Sequence, residues 1–279
     1  MPRTARISML ATFALLAALL IVNLIVPSRD PALGDWPGGG VDDDESGAAS
    51  LSDRALRVAI ESQDLAGVRR AIDRGAGVNR HDFQHWSPLT HAASVGNVAV
   101  CAELLAHGAA PDGDERNGDE RDNDGDSPRF PPIICAATRG HLDVIELLVR
   151  HGADLDARSP NGATALNIAA SLNMHDVAVA LIRGGADVNR ADAHGWTPLM
   201  AVAAHADAGP LIEALLAAGA RVDATDDVGD TAVNIATRGG NDQTVRLLLR
   251  RRPAAARAAS RPNHLLGFGS SAPARRGPC

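Results

Sequence analysis

The chain contains no lysine and no tyrosine among its 279 residues, so all 27 of its basic residues are arginine. The absence of lysine excludes both a Schiff-base lysine and a P-loop lysine. Aromatic residues are scarce, since four phenylalanines and three tryptophans are the complete set. The net charge of −7 is modest and does not suggest a nucleic-acid-binding surface, which would need a basic stripe. We therefore expect no nucleic-acid partner.

What the chain has in abundance is internal repetition, with a period of about 33 residues. Equivalent positions fall at Arg54, Ser87, Pro131, Thr164, Thr197 and Thr231, which are 33, 44, 33, 33 and 34 residues apart. A period of this length indicates a stacked solenoid, in which neighbouring units bury a continuous core. Such a fold usually offers a surface for binding and not a catalytic pocket.

Each unit contains two short apolar runs with helical spacing. In the third unit the first run covers residues 133–137 and the second covers residues 142–148. Offsets of one, three and four residues place these side chains on one face of a short helix. Gly140 separates the two runs, and Gly152 stands where a helix C-terminus favours the left-handed conformation. The pattern predicts a helix-turn-helix unit.

With these residues in view, the chain resembles the ankyrin repeat family. The matching segments are Ser87 to Ala93 ("SPLTHAA"), Ala137 to Ala157 ("ATRGHLDVIELLVRHGADLDA"), Gly184 to Asn189 ("GGADVN") and Gly195 to Ala203 ("GWTPLMAVA"). The resemblance covers residues 51–252. It implies an all-α solenoid of about six repeats, with β-hairpin fingers between the helix pairs and a concave binding face.

The chain departs from the family pattern at one recurring position. The histidine that usually follows Thr-Pro-Leu in the family is replaced by Thr90, Ile134, Asn167, Met200 and Asn234. The resemblance implies that these replacements remove a common hydrogen bond between loops. We therefore expect an array of modest stability.

The N-terminus predicts a membrane anchor. Residues 7–26 form an apolar run that would span about 30 Å as a helix, which matches the hydrocarbon core of a bilayer. Arg3 and Arg6 precede the run, so the positive-inside rule places residues 1–6 in the cytoplasm. The alternative is a signal peptide that is cleaved, with secretion of the rest. Because the composition resembles that of bacterial chains, we expect a single-pass inner-membrane protein with its repeats in the periplasm.

The remaining segments have biased compositions. Residues 27–50 read as a flexible acidic linker, and residues 253–279 as a basic, disordered tail. An acidic insert, residues 113–129, separates the second and third units. Glu120, Asp122 and Asp124 within it resemble the start of an EF-hand loop, although Pro131 stands where the bidentate glutamate belongs. We expect a solvated loop, with a Ca²⁺ site as the alternative.

No segment supplies a nucleophile, a base and an orienting group together, so no catalytic residue is predicted. We also expect no metal ligand, no cofactor and no small-molecule substrate, and the chain is predicted not to be an enzyme. Cys101 and Cys135 stand at apolar positions and are predicted to be buried thiols, with a disulfide between them as the alternative. Cys279 is left over in the tail and could pair between chains.

The aromatic residues provide the first set of candidate binding residues. Trp86, Phe130 and Trp196 occupy the same repeat position, and Phe83 lies three residues before Trp86. The resemblance places this position on the finger side, beside the concave face. Aromatic residues are enriched at binding hot spots, so the row predicts an edge that anchors a partner. The alternative is that these rings stack between fingers and only stabilise the array.

The first helices provide the second set. The positions that face the same groove are Ser94, Val95, Thr138, Arg139, Ser171, Leu172, Ala204, His205 and Arg238. This mixture of small and polar side chains suits a protein partner, and Arg139, His205 and Arg238 complete the predicted partner-binding residues. The sequence therefore predicts a membrane-anchored, non-enzymatic module for protein–protein interaction. The alternatives are a Ca²⁺-responsive sensor that uses the insert and a scaffold that oligomerises through Cys279.

Overall fold

The computed structural model describes residues 47–81, 86–113 and 130–251. Twelve α-helices lie in this part of the chain. They are α1 (Gly47–Glu61), α2 (Leu65–Asp73), α3 (Pro88–Val95), α4 (Val98–Ala106), α5 (Pro132–Arg139), α6 (Leu142–Arg150), α7 (Ala165–Ser171), α8 (His175–Gly184), α9 (Pro198–Ala203), α10 (Gly209–Ala217), α11 (Ala232–Arg238) and α12 (Asp242–Arg251). The helices form six consecutive pairs, which we number as units one to six.

The six pairs stack in chain order. The odd-numbered helices contact one another in sequence from α1 to α11, and the even-numbered helices do the same from α2 to α12. Within each unit the two helices also contact each other. The predicted all-α solenoid of six repeats is therefore confirmed. Each unit buries its apolar faces against its neighbours, as a stack of short helices must.

Local residues explain where the first helices begin. The hydroxyls of Ser87, Thr164, Thr197 and Thr231 each accept a hydrogen bond from the backbone N–H three residues later. This side-chain cap satisfies one of the backbone donors that a helix start leaves without a partner. Pro88, Pro132 and Pro198 stand at the first position of α3, α5 and α9, where their missing N–H costs little.

The core is a continuous apolar layer between the two rows of helices. It contains the alanine pairs Ala92–Ala93, Ala136–Ala137 and Ala169–Ala170, which are fully buried. Small side chains at these places let neighbouring helices approach closely. Leucine and isoleucine side chains fill the remaining space; Leu104, Ile145, Leu148 and Leu181 are among those fully buried.

The fingers differ from the hairpins that the resemblance implied. No β-strand occurs in the described residues. The fourth, fifth and sixth fingers, residues 159–163, 192–196 and 226–230, are instead tight turns. In each, the first and last residues are joined by a backbone hydrogen bond of 3.0 Å. A five-residue turn has room for one such bond and not for a strand ladder.

The predicted anchor, residues 7–26, lies outside the described residues. Among the helices that the structure does describe, none is long and apolar enough to cross a membrane. The first described helix, α1, begins at Gly47, within the segment predicted as a linker.

Candidate interaction surface

The C-terminal ends of the first helices form an accessible row along the array. All nine positions that the sequence placed at the groove, from Ser94 to Arg238, are exposed or half-buried. The starts of α3, α5, α7 and α9 are buried, because the fingers and neighbouring helices cover them. We call these nine positions, together with the fingers, the groove face.

The aromatic row lies mostly within the stack. Trp86 is only 6% exposed, and its ring packs against His91 and Phe130 with centroid distances of 5.0 and 6.0 Å. Phe130 is half-buried, and Trp196 is half-buried against the core. Phe83 lies outside the described residues. Tilted ring contacts between adjacent units are the geometry expected of aromatics that stabilise the array.

The three predicted polar residues have different surroundings. Arg139 is exposed, and no described residue forms a hydrogen bond or an ion pair with its guanidinium. Arg238 is also exposed but pairs with Asp230 of its own unit. The His205 Nε2 atom lies 2.8 Å from the carbonyl oxygen of Ser171, so this ring ties the fifth unit to the fourth. Arg139 is therefore the member of the three with a charge free for a partner.

The fingers stack through close backbone contacts. The Ala193 N–H donates to the Asn161 carbonyl at 3.3 Å, and the Asp227 N–H donates to the His194 carbonyl at 3.2 Å. Gly195 lies against the sixth finger so closely that a Cβ atom would stand 3.0 Å from the Asp226 Cα. A side chain there would separate the two fingers. The finger row is thus a fixed edge of the groove face.

The expected loss of inter-loop hydrogen bonds is wrong at two of the replaced positions. The Asn167 amide donates to the carbonyls of Arg190 and Trp196, both at 3.1 Å, and so bonds to the next finger. The Thr90 hydroxyl donates in the same way to the Phe130 carbonyl at 3.1 Å. Both residues are buried. The Asn167 amide and the Thr90 hydroxyl can each donate to a carbonyl of the next unit. The hydrogen bond between loops is therefore kept at these two positions although histidine is replaced.

A second set of ties between units was not recognised in the sequence. Asn79 accepts from the Ala110 N–H and donates to the Gly108 carbonyl, and Asn189 bonds to Arg221 and Gly219 in the same way. Asp112 and Asp156 accept from the corresponding N–H of the next unit, at 2.7 and 3.0 Å. The sequence pattern that could have predicted these hydrogen bonds is the recurrence of Asn or Asp four residues after the closing glycine of each unit.

The two described cysteines are buried free thiols. Cys101 is 0% exposed and Cys135 is 6% exposed. Burial in the apolar core raises the pKa of each thiol to about 12, because the thiolate would lose its hydration. Neither thiol is therefore a reactive nucleophile at neutral pH.

The acidic insert begins at Gly113, and its residues 114–129 are outside the described part. Its start is held by His81, whose Nε2 atom lies 2.7 Å from the Gly113 carbonyl oxygen. Elsewhere in the described ranges, no three His, Cys, Asp or Glu side chains come together as metal ligands would. The Ca²⁺ alternative therefore rests on the insert alone.

Comparisons with known proteins agree with this architecture. A family model described as ankyrin repeats in three copies matches residues 56–158, 117–192 and 180–258. The crystal structure of an ankyrin repeat domain from Acinetobacter baumannii AYE is similar in fold, with a TM-score of 0.61 and 24% identity. That match covers 70% of this chain and 96% of the other.

One curated relative matches over a shorter segment. The 2-5A-dependent ribonuclease of Mus musculus is 34% identical over 67 residues, which are 24% of this chain and 9% of that protein. Ankyrin repeats are generally modules for protein–protein interaction. Because the family model covers more than half of the sequence, this chain belongs to the ankyrin repeat family.

Proposed function

We propose that this chain is a non-enzymatic interaction protein that binds a protein partner across the groove face. The observation that carries the proposal is the accessibility of all nine positions at the ends of the first helices, whose starts are mostly buried. A row of accessible side chains on a packed, hydrogen-bonded frame is suited to a partner that needs little rearrangement on binding.

The chemistry of the groove face favours particular groups on the partner. The hydroxyls of Ser94, Thr138 and Ser171 already donate to carbonyls of their own helices. Each hydroxyl oxygen can still accept, so these positions favour partner N–H groups. Arg139 can only donate, and it favours a carboxylate or a carbonyl. Trp196 supplies a half-buried ring on the adjacent edge.

We further propose that residues 7–26 hold the array at the inner membrane, with the repeats in the periplasm. The proposal rests on the apolar run and on the arginines that precede it. Its test is protease treatment of intact cells, of cells with a permeabilised outer membrane, and of lysed cells. Digestion of the repeats after outer-membrane permeabilisation is expected. Protection until the cells are lysed would contradict the periplasmic location.

The binding proposal can be tested by photo-crosslinking of the full-length chain in cells. A photoreactive residue at Ala204, which is exposed on the groove face, is compared with one at Ala217, which is exposed at the end of α10. One specific crosslinked protein is expected from Ala204 and not from Ala217. The same products from both positions would contradict the proposal.

A matched pair of charge reversals then locates the contact. Arg139→Glu is expected to weaken the Ala204 crosslink about tenfold or more, since reversal of a charge at an interface costs more than about 1.4 kcal/mol. Arg183→Glu makes the same change on the exposed last turn of α8, away from the groove face, and is expected to leave the crosslink unchanged. Equal losses would show that the contact is nonspecific attraction by charge.

A further inference from the structure

The sixth unit presents an outer face that resembles an interior junction. The equivalent apolar side chains of units one to five are Leu56, Leu89, Ile133, Leu166 and Leu199, and each is 0–1% exposed. Val233 occupies this position in α11 and is half-buried. Each of the five earlier first helices packs against the next first helix, whereas no described helix follows α11 in its row. The Val233 side chain is therefore an apolar group that the next first helix would bury, and the described residues contain no such helix.

The finger edge of the sixth unit is open in the same sense. The carbonyls of Asn161 and His194 each accept a bond from the following finger. Val228 is their counterpart, and within the described residues no donor reaches its carbonyl; its side chain is 87% exposed. Gly229 adopts a φ of +86°, and a Cβ atom there would meet nothing within 4 Å.

The buried amide of Asn167 also has an unused counterpart. Asn234 stands at the same repeat position but is exposed, and among the described residues its amide reaches only the Asp230 carboxylate, at 3.4 Å. Asn167 spans to the next finger, as described above. Val233, the Val228 carbonyl and Asn234 therefore each correspond to a group that contacts the next unit elsewhere in the array.

The chain continues past α12 in the register of the repeat. Leu266 follows Val233 by 33 residues, which is the step from Ile133 to Leu166 and from Leu166 to Leu199. In the same register Ser260 corresponds to Ala193 and Asp227, whose N–H groups bond to the preceding finger. Leu265 and Phe268 add apolar side chains beside Leu266.

We propose that residues 259–271 dock on the outer face of the sixth unit in the register of the repeat, with Leu266 opposite Val233 and Ser260 opposite Val228. The proposal replaces the disorder expected from composition for this part of the tail, and it holds whichever partner the groove face binds.

Disulfide trapping in the full-length chain tests the docking. Val228→Cys is combined with Ser260→Cys in one variant and with Ala274→Cys in the other, both carrying Cys279→Ser. A disordered tail would give similar rates, because loop-closure entropy changes by only about 0.6 kcal/mol for each doubling of loop length. Docking predicts that the 228–260 disulfide forms at least about tenfold faster than the 228–274 disulfide. Rates within about threefold of each other, or disulfide-linked dimers in place of the internal bond, would overturn the proposal.

Hydrogen exchange gives a second and independent readout. Leu266→Asp places a charge against Val233 and is expected to reduce the protection of α11 amides at least about tenfold, because the segment is released. Ala274→Asp adds the same charge beyond the segment and is expected to leave the protection unchanged. Neither substitution lies within units one to six. Equal protection of α11 in the wild type and both variants would overturn the docking.

Discussion

Neighbouring units are joined by similar hydrogen bonds at two edges of the array. One is the finger edge, and the other, which we call the outer edge, lies just after the second helices, where Asn189 stands. The two edges differ in how far water reaches the bonds. At the finger edge, the buried Asn167 amide bonds to the carbonyls of Arg190 and Trp196. At the outer edge, Asn189 makes the equivalent pair of bonds to the next unit in exposed positions. A broken bond costs more where water cannot replace it. We therefore expect the loss of such a bond to cost more at the finger edge than at the outer edge.

The largest expected effect comes from the two asparagines. Asn167→Ala removes two bonds to the next finger and the oxygen that accepts from the Thr164 N–H, so we expect a loss of about 3 kcal/mol in unfolding free energy. Asn189→Ala is expected to cost about 1 kcal/mol, since water can hydrate the groups that it leaves. Urea denaturation of both variants measures the difference. Equal losses would show that burial does not distinguish the two edges.

A smaller difference is expected for two glycines with similar backbone angles. Gly195 has φ +78° and faces the sixth finger at 3.0 Å, whereas Gly219 has φ +93° and faces open space. Alanine at a positive φ costs about 1 kcal/mol at either position. Gly195→Ala must also displace the next finger, so we expect about 2–3 kcal/mol in total. Thermal unfolding of the two variants separates backbone strain from close approach; identical shifts in Tm would exclude a tight finger contact.

The smallest effect is expected from a surface ion pair between units one and two. The Arg69 guanidinium lies 2.8 Å from the Glu103 carboxylate, and this hydrogen bond holds the pKa of Glu103 below its ordinary value. A carboxyl with a lowered folded-state pKa adds stability above its unfolded pKa. That stability is lost as the pH falls through the folded-state pKa. Glu103→Gln should therefore lower Tm slightly at pH 7, and this difference from the wild type should shrink as the pH falls.

The control for this prediction is Glu146→Gln, which removes the same charge from an exposed position on α6. No ion pair of its carboxylate occurs in the described residues, so we expect no pH-dependent difference from the wild type. If both variants lost stability alike at pH 7, net charge and not the Arg69 contact would be responsible.

Much of the fold could be predicted from the sequence because it depends on local patterns. The 33-residue period and the apolar spacing predicted six helix pairs in the right places. The expected β-hairpins are absent from the described residues, because a five-residue turn such as 192–196 leaves no room for a ladder of hydrogen bonds. Burial of the two cysteines was also predictable from their apolar positions.

The candidate site was less predictable. Trp86 and Arg139 were both predicted as partner-binding residues, yet Trp86 is packed between units and Arg139 is exposed. His205 carries a side chain that could face a partner, but its ring reaches the Ser171 carbonyl across the junction. Whether a polar side chain is free or tied depends on residues about 30 positions away. No pattern within one unit contains that information.

The sequence by itself determined that this chain is a stack of six helical pairs, because the period and the apolar spacing act within each unit. Only the tertiary structure decided which of two similar asparagines is buried, which glycine meets a neighbouring finger and which arginine is free. The physical reason is that these properties arise where units meet. There, hydrogen bonds form between distant residues, and access to water sets how much each bond contributes.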